Sequence, residues 1–174
     1  GGGILSEAMA REGATVTGID LAEPGLEVAK LHLLESGLEV DYQKTPVEGL
    51  AKTHAGQFDV VTCLEMLEHV PDPSSIIKAC ATLVKPGGQV FLSTINRNAK
   101  SYLFAIIGAE YILKLLPQGT HDWDKFIQPS EMDEFSRQSG LSLRGMIGMT
   151  YNPFTKVYKL ENDVSANYLC HYKQ

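Results

Sequence analysis

Hydrophobic positions along this chain recur in two periods that take turns. Over Glu23–Ser36, Leu26, Ala29, Leu33 and Leu34 recur at helical spacing, and Gly37 follows as a helix-terminating residue. Small and apolar residues after Gly3 predict a helix over Ile4–Arg11, and a short one falls over Val47–Thr53. Another covers residues 73–84 and opens on a proline, whose missing N–H costs little in a first turn. A strongly apolar helix spans residues 99–116 and is closed by Pro117. Residues 129–139 form one more, with Ser130 as candidate N-cap and Asp133 and Glu134 in its first turns. Between the helices lie strands. Residues 14–19 are β-rich and end on Asp20, and residues 39–43 alternate. Residues 58–63 are an apolar run of the kind found where both faces of a sheet are covered. Residues 89–95 follow a Lys85-Pro86-Gly87-Gly88 turn. Residues 141–149 and 164–172 close the chain as a strand pair, joined by a long connection that contains Asn152-Pro153.

Strand and helix in strict alternation predict an α/β fold, with a doubly wound, mostly parallel sheet and right-handed crossovers. The closing strand pair has no helix between its members and adds an antiparallel edge. The expected organisation is one domain over residues 1–174, with residues 99–125 as an insertion above the ligand-binding edge of the sheet.

Composition narrows the classes. Hydrophobic residues make up 44% of the 174, enough for a packed core and too many for a disordered chain. A net charge of -6 without any Lys/Arg run excludes nucleic acid as a partner, since that affinity depends on clustered cations. The three cysteines, Cys63, Cys80 and Cys170, sit in apolar surroundings without close spacing. They read as buried thiols in a reducing compartment. The longest apolar stretch, residues 102–116, is interrupted by Glu110 and Lys114 and falls short of the roughly 20 residues a membrane span needs. The chain opens on Gly1-Gly2-Gly3 without Met and inside what reads as a motif, so an upstream segment is expected.

Two features carry chemistry. The triglycine leads straight into a helix, where glycines let a ligand approach the backbone and the helix start offers free N–H groups. Asp20 ends the following strand, and a carboxylate there can accept hydrogen bonds from both hydroxyls of a ribose. Glycine loop plus acid is the arrangement of nucleoside-cofactor folds; a flexible terminus and a turn-capping acid are the plain alternatives. The second feature is Leu64-Glu65-Met66-Leu67-Glu68-His69-Val70-Pro71, directly after the apolar run. It stands at the strand end where open α/β sheets bind ligands. Glu65, Glu68 and His69 are donors suited to a divalent cation. They also suit a metal-free reading in which His69 is a general base, and a plain one in which they cap backbone groups and pack under the loop.

With these residues in view, the sequence resembles the class I S-adenosylmethionine-dependent methyltransferases over nearly its whole length. Gly1-Gly2-Gly3 is similar to the tail of their first motif, whose acidic start and first strand would lie upstream. Asp20 matches their ribose-binding acid, Phe58-Asp59-Val60-Val61 their fourth strand, and Lys85-Pro86-Gly87-Gly88 the turn before the fifth. More narrowly, residues 1–20, Cys63 through Pro73, Asn96-Arg97-Asn98, residues 108–113 and Gly119-Thr120-His121-Asp122 resemble the ubiquinone-biosynthesis O-methyltransferases. The resemblance implies a Rossmann-like sheet whose first strand is missing from this chain, and S-adenosylmethionine held by Gly1, Gly3, Asp20 and Leu64. It implies a magnesium trio of Glu65, Glu68 and His69, and His69 and His121 as candidate catalytic acid/base groups.

The implied reactions methylate polyprenylated phenols: 3-demethylubiquinol to ubiquinol, and 2-polyprenyl-6-hydroxyphenol to 2-polyprenyl-6-methoxyphenol. The implied partners are that substrate, the membrane surface where it resides and other enzymes of the pathway. The implied location is the cytoplasmic face of the inner membrane, or the mitochondrial matrix side in a eukaryote. A methyltransferase for another small phenol or carboxylate, and a non-catalytic cofactor-fold subunit, are the competing readings. The implied chemistry needs alignment of oxygen, methyl and sulfur, and deprotonation of a phenol whose ordinary pKa is about 10.

Overall fold

The computed structural model describes residues 1–98, 123–152, 155 and 157–174. The expected helix over residues 99–116, almost all of the expected insertion and His121 lie outside the described residues. The chain divides into two units, Gly1–Thr53 and His54–Gln174, where one domain was expected.

In the first unit the helical and strand periods materialise in order: α1 (Ile4–Arg11), β1 (Thr17–Asp20), α2 (Glu23–Ser36), β2 (Asp41–Lys44) and α3 (Val47–Thr53). β1 and β2 pair in parallel, from Thr17 opposite Asp41 to Asp20 opposite Lys44. Parallel neighbours need a crossover, which α2 supplies. That helix has proline in its first turn and stops at Gly37, whose φ of 67° is the left-handed geometry glycine adopts freely. Leu26 and Ala29 are its buried residues, while Leu34 is 82% exposed. The apolar face expected of this helix is therefore buried only toward its N-terminal half.

The second unit holds β3 (Phe58–Leu64), α4 (Pro73–Leu83), β4 (Val84–Ile95), α5 (Pro129–Gln138), β5 (Ser142–Asn152), β6 (Val157–Glu161) and β7 (Asn167–Lys173). Its strand order is β3-β4-β7-β5-β6. β3 and β4 are parallel, and the pairings β4–β7, β7–β5 and β5–β6 are all antiparallel. The α/β class is as expected, with a larger antiparallel share than one edge strand. The extra member is β6, which falls inside the connection expected to be irregular. All five of its residues are exposed, so no buried face marks it in the sequence.

Lys85-Pro86-Gly87-Gly88 does not end a turn ahead of β4; the strand runs through it with a shift of register against β3. Gly87 has φ 80°, and a Cβ on Gly88 would stand 2.8 Å from the Asp59 carbonyl oxygen. The glycines permit a bulge at the point of strand contact.

The core of this unit lies along β4, β7, α4 and α5. Val90, Leu92, Ile77, Leu83, Met132 and Tyr172 are all buried there; each large apolar side chain so placed contributes about 1.5–3 kcal/mol. β7 alternates cleanly, with Tyr168, Cys170 and Tyr172 buried and the residues between them half-buried. The Tyr168 hydroxyl donates to the Ile127 carbonyl oxygen at 2.8 Å. Burial pushes the Cys170 thiol up to about 12 and drives both tyrosine hydroxyls well above their ordinary value. All three cysteines are buried and unbridged, as expected.

α5 begins at Pro129 as expected, but with a different cap. Its N-cap is Gln128, not Ser130. The Gln128 side chain accepts from the third-residue N–H while the Glu131 carboxylate accepts from the Gln128 N–H at 2.8 Å, a reciprocal capping box. Among the described residues, no helix is long and apolar enough to cross a membrane.

Candidate active site

Three of the residues singled out in the sequence meet in the first unit. Gly3 precedes α1 with φ 86°, a conformation that a side chain strongly disfavours. A Cβ there would also stand 2.9 Å from the Ala29 Cβ, and one on Gly18 would stand 2.7 Å from the Tyr42 ring. Both glycines thus leave room for Tyr42, whose hydroxyl donates to the Gly3 carbonyl oxygen at 3.4 Å. The cavity along this loop, about 220 Å³, is lined by the three glycines, Ser6, Gly18 and Tyr42 among others. Tyr42 was not singled out in the sequence; its place opposite Gly18 in the β1–β2 register brings it there. Burial raises its phenol above the ordinary range.

Asp20 stands at the end of β1. Its Oδ1 accepts the Ala22 N–H at 2.8 Å and its Oδ2 accepts from the Gly1 nitrogen. Burial by itself would raise this carboxyl. Hydrogen bonds from the Ala22 and Leu21 N–H groups act in the opposite direction. An anionic acceptor beside an open glycine loop fits the nucleoside end of a cofactor.

The other group forms in the second unit, where β3 ends. Leu64 pairs with Ser93 in the parallel register. Glu65 then takes φ 49°, the one positive value among the described non-glycine residues, at a typical cost of about 1–3 kcal/mol. Three hydrogen bonds to Ser93 hold it there. The Glu65 N–H donates to the Ser93 carbonyl oxygen at 3.1 Å and to its Oγ at 3.0 Å, and that hydroxyl donates to Glu65 Oε1 at 2.7 Å. A 3₁₀ turn over Leu67–His69 follows, with Leu67 and Glu68 buried. The Glu68 side chain is 3% exposed, and its Oε2 accepts from Thr94 Oγ1 at 2.7 Å. The His69 ring is 50% exposed, with Nε2 4.0 Å from Glu68 Oε1, beyond hydrogen-bond length.

This geometry does not assemble the expected magnesium trio. Glu65, Glu68 and His69 are close in sequence, yet among the described residues no three His, Cys, Asp or Glu side chains gather as a cation site. The irregular backbone such a site would need is present, but it turns Glu68 inward to Thr94 and leaves His69 outward. A hard cation prefers several converging oxygens with room for water, and a buried carboxylate bonded to a hydroxyl offers neither. The residues do not fit the ion.

Asn96-Arg97-Asn98 had no role assigned by spacing. In the fold these residues clasp two loops at the end of β4. Asn96 and Asn98 donate to the carbonyl oxygens of Val164 at 2.9 Å and Ser165 at 2.7 Å. Arg97 donates to the Phe126 carbonyl oxygen at 3.1 Å and pairs with Glu131. Ser93, Thr94 and Arg97 share one signal legible in principle: polar residues at the C-terminal end of an inner strand.

Comparison with known proteins defines the class first. A family model described as a methyltransferase domain matches residues 1–92. A solved S-adenosylmethionine-dependent methyltransferase from Methanosarcina mazei superposes with a TM-score of 0.74 at 20% identity, covering 100% of this chain and 88% of that one. That likeness shows the fold. Closer relatives are the ubiquinone biosynthesis O-methyltransferases of Pseudomonas aeruginosa, 67% identical over 174 residues, and Marinobacter nauticus, 66% over 173. They cover 100% and 98% of this chain, which spans 75% and 73% of their lengths. The chain belongs to the ubiquinone biosynthesis O-methyltransferases, and its activity is S-adenosylmethionine-dependent methyl transfer.

Proposed function

We propose that the acceptor is a phenolic hydroxyl of a polyprenylated ubiquinone precursor, 3-demethylubiquinol or 2-polyprenyl-6-hydroxyphenol. The observation that carries this reading is 65–68% identity, over nearly the whole chain, to enzymes named for that pathway. Bound S-adenosylmethionine supplies an activated methyl group. The glycine loop and Asp20 hold its nucleoside, with Asp20 accepting from the ribose hydroxyls; Leu64, at the end of β3, is the further cofactor residue that the family resemblance implies. The loop of residues 65–69 orients the acceptor ring. His69, half exposed at the lip of that loop, would take the phenolic proton during methyl transfer. His121 is the second candidate for that proton. The lipid tail of such an acceptor brings the enzyme to the membrane surface without spanning it, on the cytoplasmic or matrix side, beside other enzymes of the pathway.

The test is methyl transfer by the full chain to a short-chain demethylated quinol, followed by mass spectrometry with and without EDTA. Methylated quinol in both arms supports the reading. Tight S-adenosylhomocysteine binding with no transfer to any prenylated phenol overturns it. Loss of transfer in EDTA, restored by Mg²⁺, overturns its metal-free form. Co-sedimentation with liposomes checks the membrane reading, and an enzyme that stays in the supernatant overturns it.

A further inference from the structure

We propose that Ser93 and Thr94 are positioning residues for methyl transfer, and that Glu65 and Glu68 are the loop's anchors on β4 rather than cation ligands. The role in catalysis rests on the reading above that residues 65–69 handle the acceptor; the anchoring does not.

β3 stops at Leu64, and the next residue adopts a left-handed conformation that nothing local in Glu65-Met66 favours. Something outside the loop must hold it. Ser93 does so at Glu65 three times over, taking its N–H on both carbonyl oxygen and Oγ, and giving its hydroxyl proton to Oε1. Thr94 does so at Glu68, through one 2.7 Å hydrogen bond in a fully buried setting. Successive residues on a strand present opposite faces, so the two hydroxyls grip the loop at points that do not share a face. Leu67, between Glu65 and Glu68 in sequence, is fully buried and anchors the loop at a third point. His69 follows Glu68 directly. Its presentation to solvent is a consequence of Glu68 being turned in, since one residue of a tight turn cannot move alone.

The same bonds decide the cation question. Glu68 would have to abandon Thr94 and emerge from burial to ligate an ion, leaving a buried hydroxyl without its acceptor. Hydroxyl and carboxylate are instead matched one to one, Ser93 to Glu65 and Thr94 to Glu68.

The experiment compares Thr94→Val, Thr94→Ser and Ser93→Ala in the full chain. Steady-state kcat and KM, S-adenosylhomocysteine affinity by calorimetry, and thermal midpoint are measured together. Loss of loop geometry costs kcat about 10–100-fold in Thr94→Val, with cofactor affinity within about threefold of wild type. Thr94→Ser, which keeps the hydroxyl, restores kcat to within about threefold. Hydrogen exchange at the Glu65 N–H accelerates at least about tenfold in Ser93→Ala. Calorimetric titration with Mg²⁺ is identical for wild type and Glu68→Gln. A folded Thr94→Val with unchanged kcat overturns the positioning role, and so does a Thr94→Ser as slow as Thr94→Val. Unchanged exchange in Ser93→Ala, or a stoichiometric Mg²⁺ site lost in Glu68→Gln, overturns the anchoring. If wild type methylates no prenylated phenol, the substrate reading has failed, while exchange and Mg²⁺ titration still judge the anchors. If Thr94→Val does not fold, Ser93→Ala carries the kinetic comparison, with the same loss of kcat expected and an unchanged kcat overturning the role.

Discussion

Two acids at strand ends are held by opposite means. Asp20, 26% exposed, accepts the main-chain N–H of Ala22, two residues on. Glu68, 3% exposed, is fixed by the side chain of Thr94, 26 residues away on a neighbouring strand. The first arrangement belongs to a turn, and the carboxylate keeps lone pairs open to a ligand. The second belongs to the packed sheet, and the carboxylate has become part of the scaffold. A carboxylate is therefore no signature of a ligand site until its burial and its donors are known.

The sharpest way to break this comparison is Asp20→Ala. Charge-assisted hydrogen bonds contribute about 1.5–3 kcal/mol each, so S-adenosylhomocysteine affinity falls at least about tenfold by calorimetry, while the thermal midpoint hardly moves. Unchanged affinity would make Asp20 scaffold too. Glu68→Leu has the complementary effect. A buried Thr94 hydroxyl loses its acceptor, and urea unfolding shows a loss of about 1–3 kcal/mol, with cofactor affinity near wild type. A cofactor-binding defect as large as that of Asp20→Ala would erase the distinction.

Acidity marks the second unit. In the second unit, Cys170 is raised to about 12 and the Tyr168 and Tyr172 hydroxyls are raised as well, all neutral in the fold. The unfolded chain releases the cysteine proton first, above about 8.5. Stability therefore drops as pH rises from there toward about 12, by roughly 1 kcal/mol per pH unit for each group in its window. A urea midpoint that stays flat between about pH 9 and 11 would contradict this. The smallest effect is Gln128→Ala, which removes half of the α5 capping box and costs about 1 kcal/mol or less.

Local signals were legible to the degree that their causes were local. β3 as a strand, the α2 stop at Gly37 and Asp20 at the end of β1 stand as read, because period and turn chemistry lie within a few residues; cover on both faces of β3 does not, since only Cys63 of its residues is buried. The α5 helix starts at Pro129 as read, but its cap was misassigned, since a serine looks like the better cap and only the reciprocal bond with Glu131 favours Gln128. β6 left no trace because an exposed strand has no buried face to pattern. The residue types after β3 were correct as a candidate site, yet the sequence held nothing that says which way each side chain turns.

By itself, then, the chain determined its α/β alternation, its glycine loop with a following acid, and a polar cluster at the end of an inner strand. Tertiary structure alone decided that β7 inserts between β4 and β5, that Tyr42 fills the space left by Gly3 and Gly18, and that Ser93 and Thr94 take hold of Glu65 and Glu68. The reason is the same in each case. Pairing between distant strands sets which polar groups meet, and a buried donor or acceptor must find its partner wherever the register brings one.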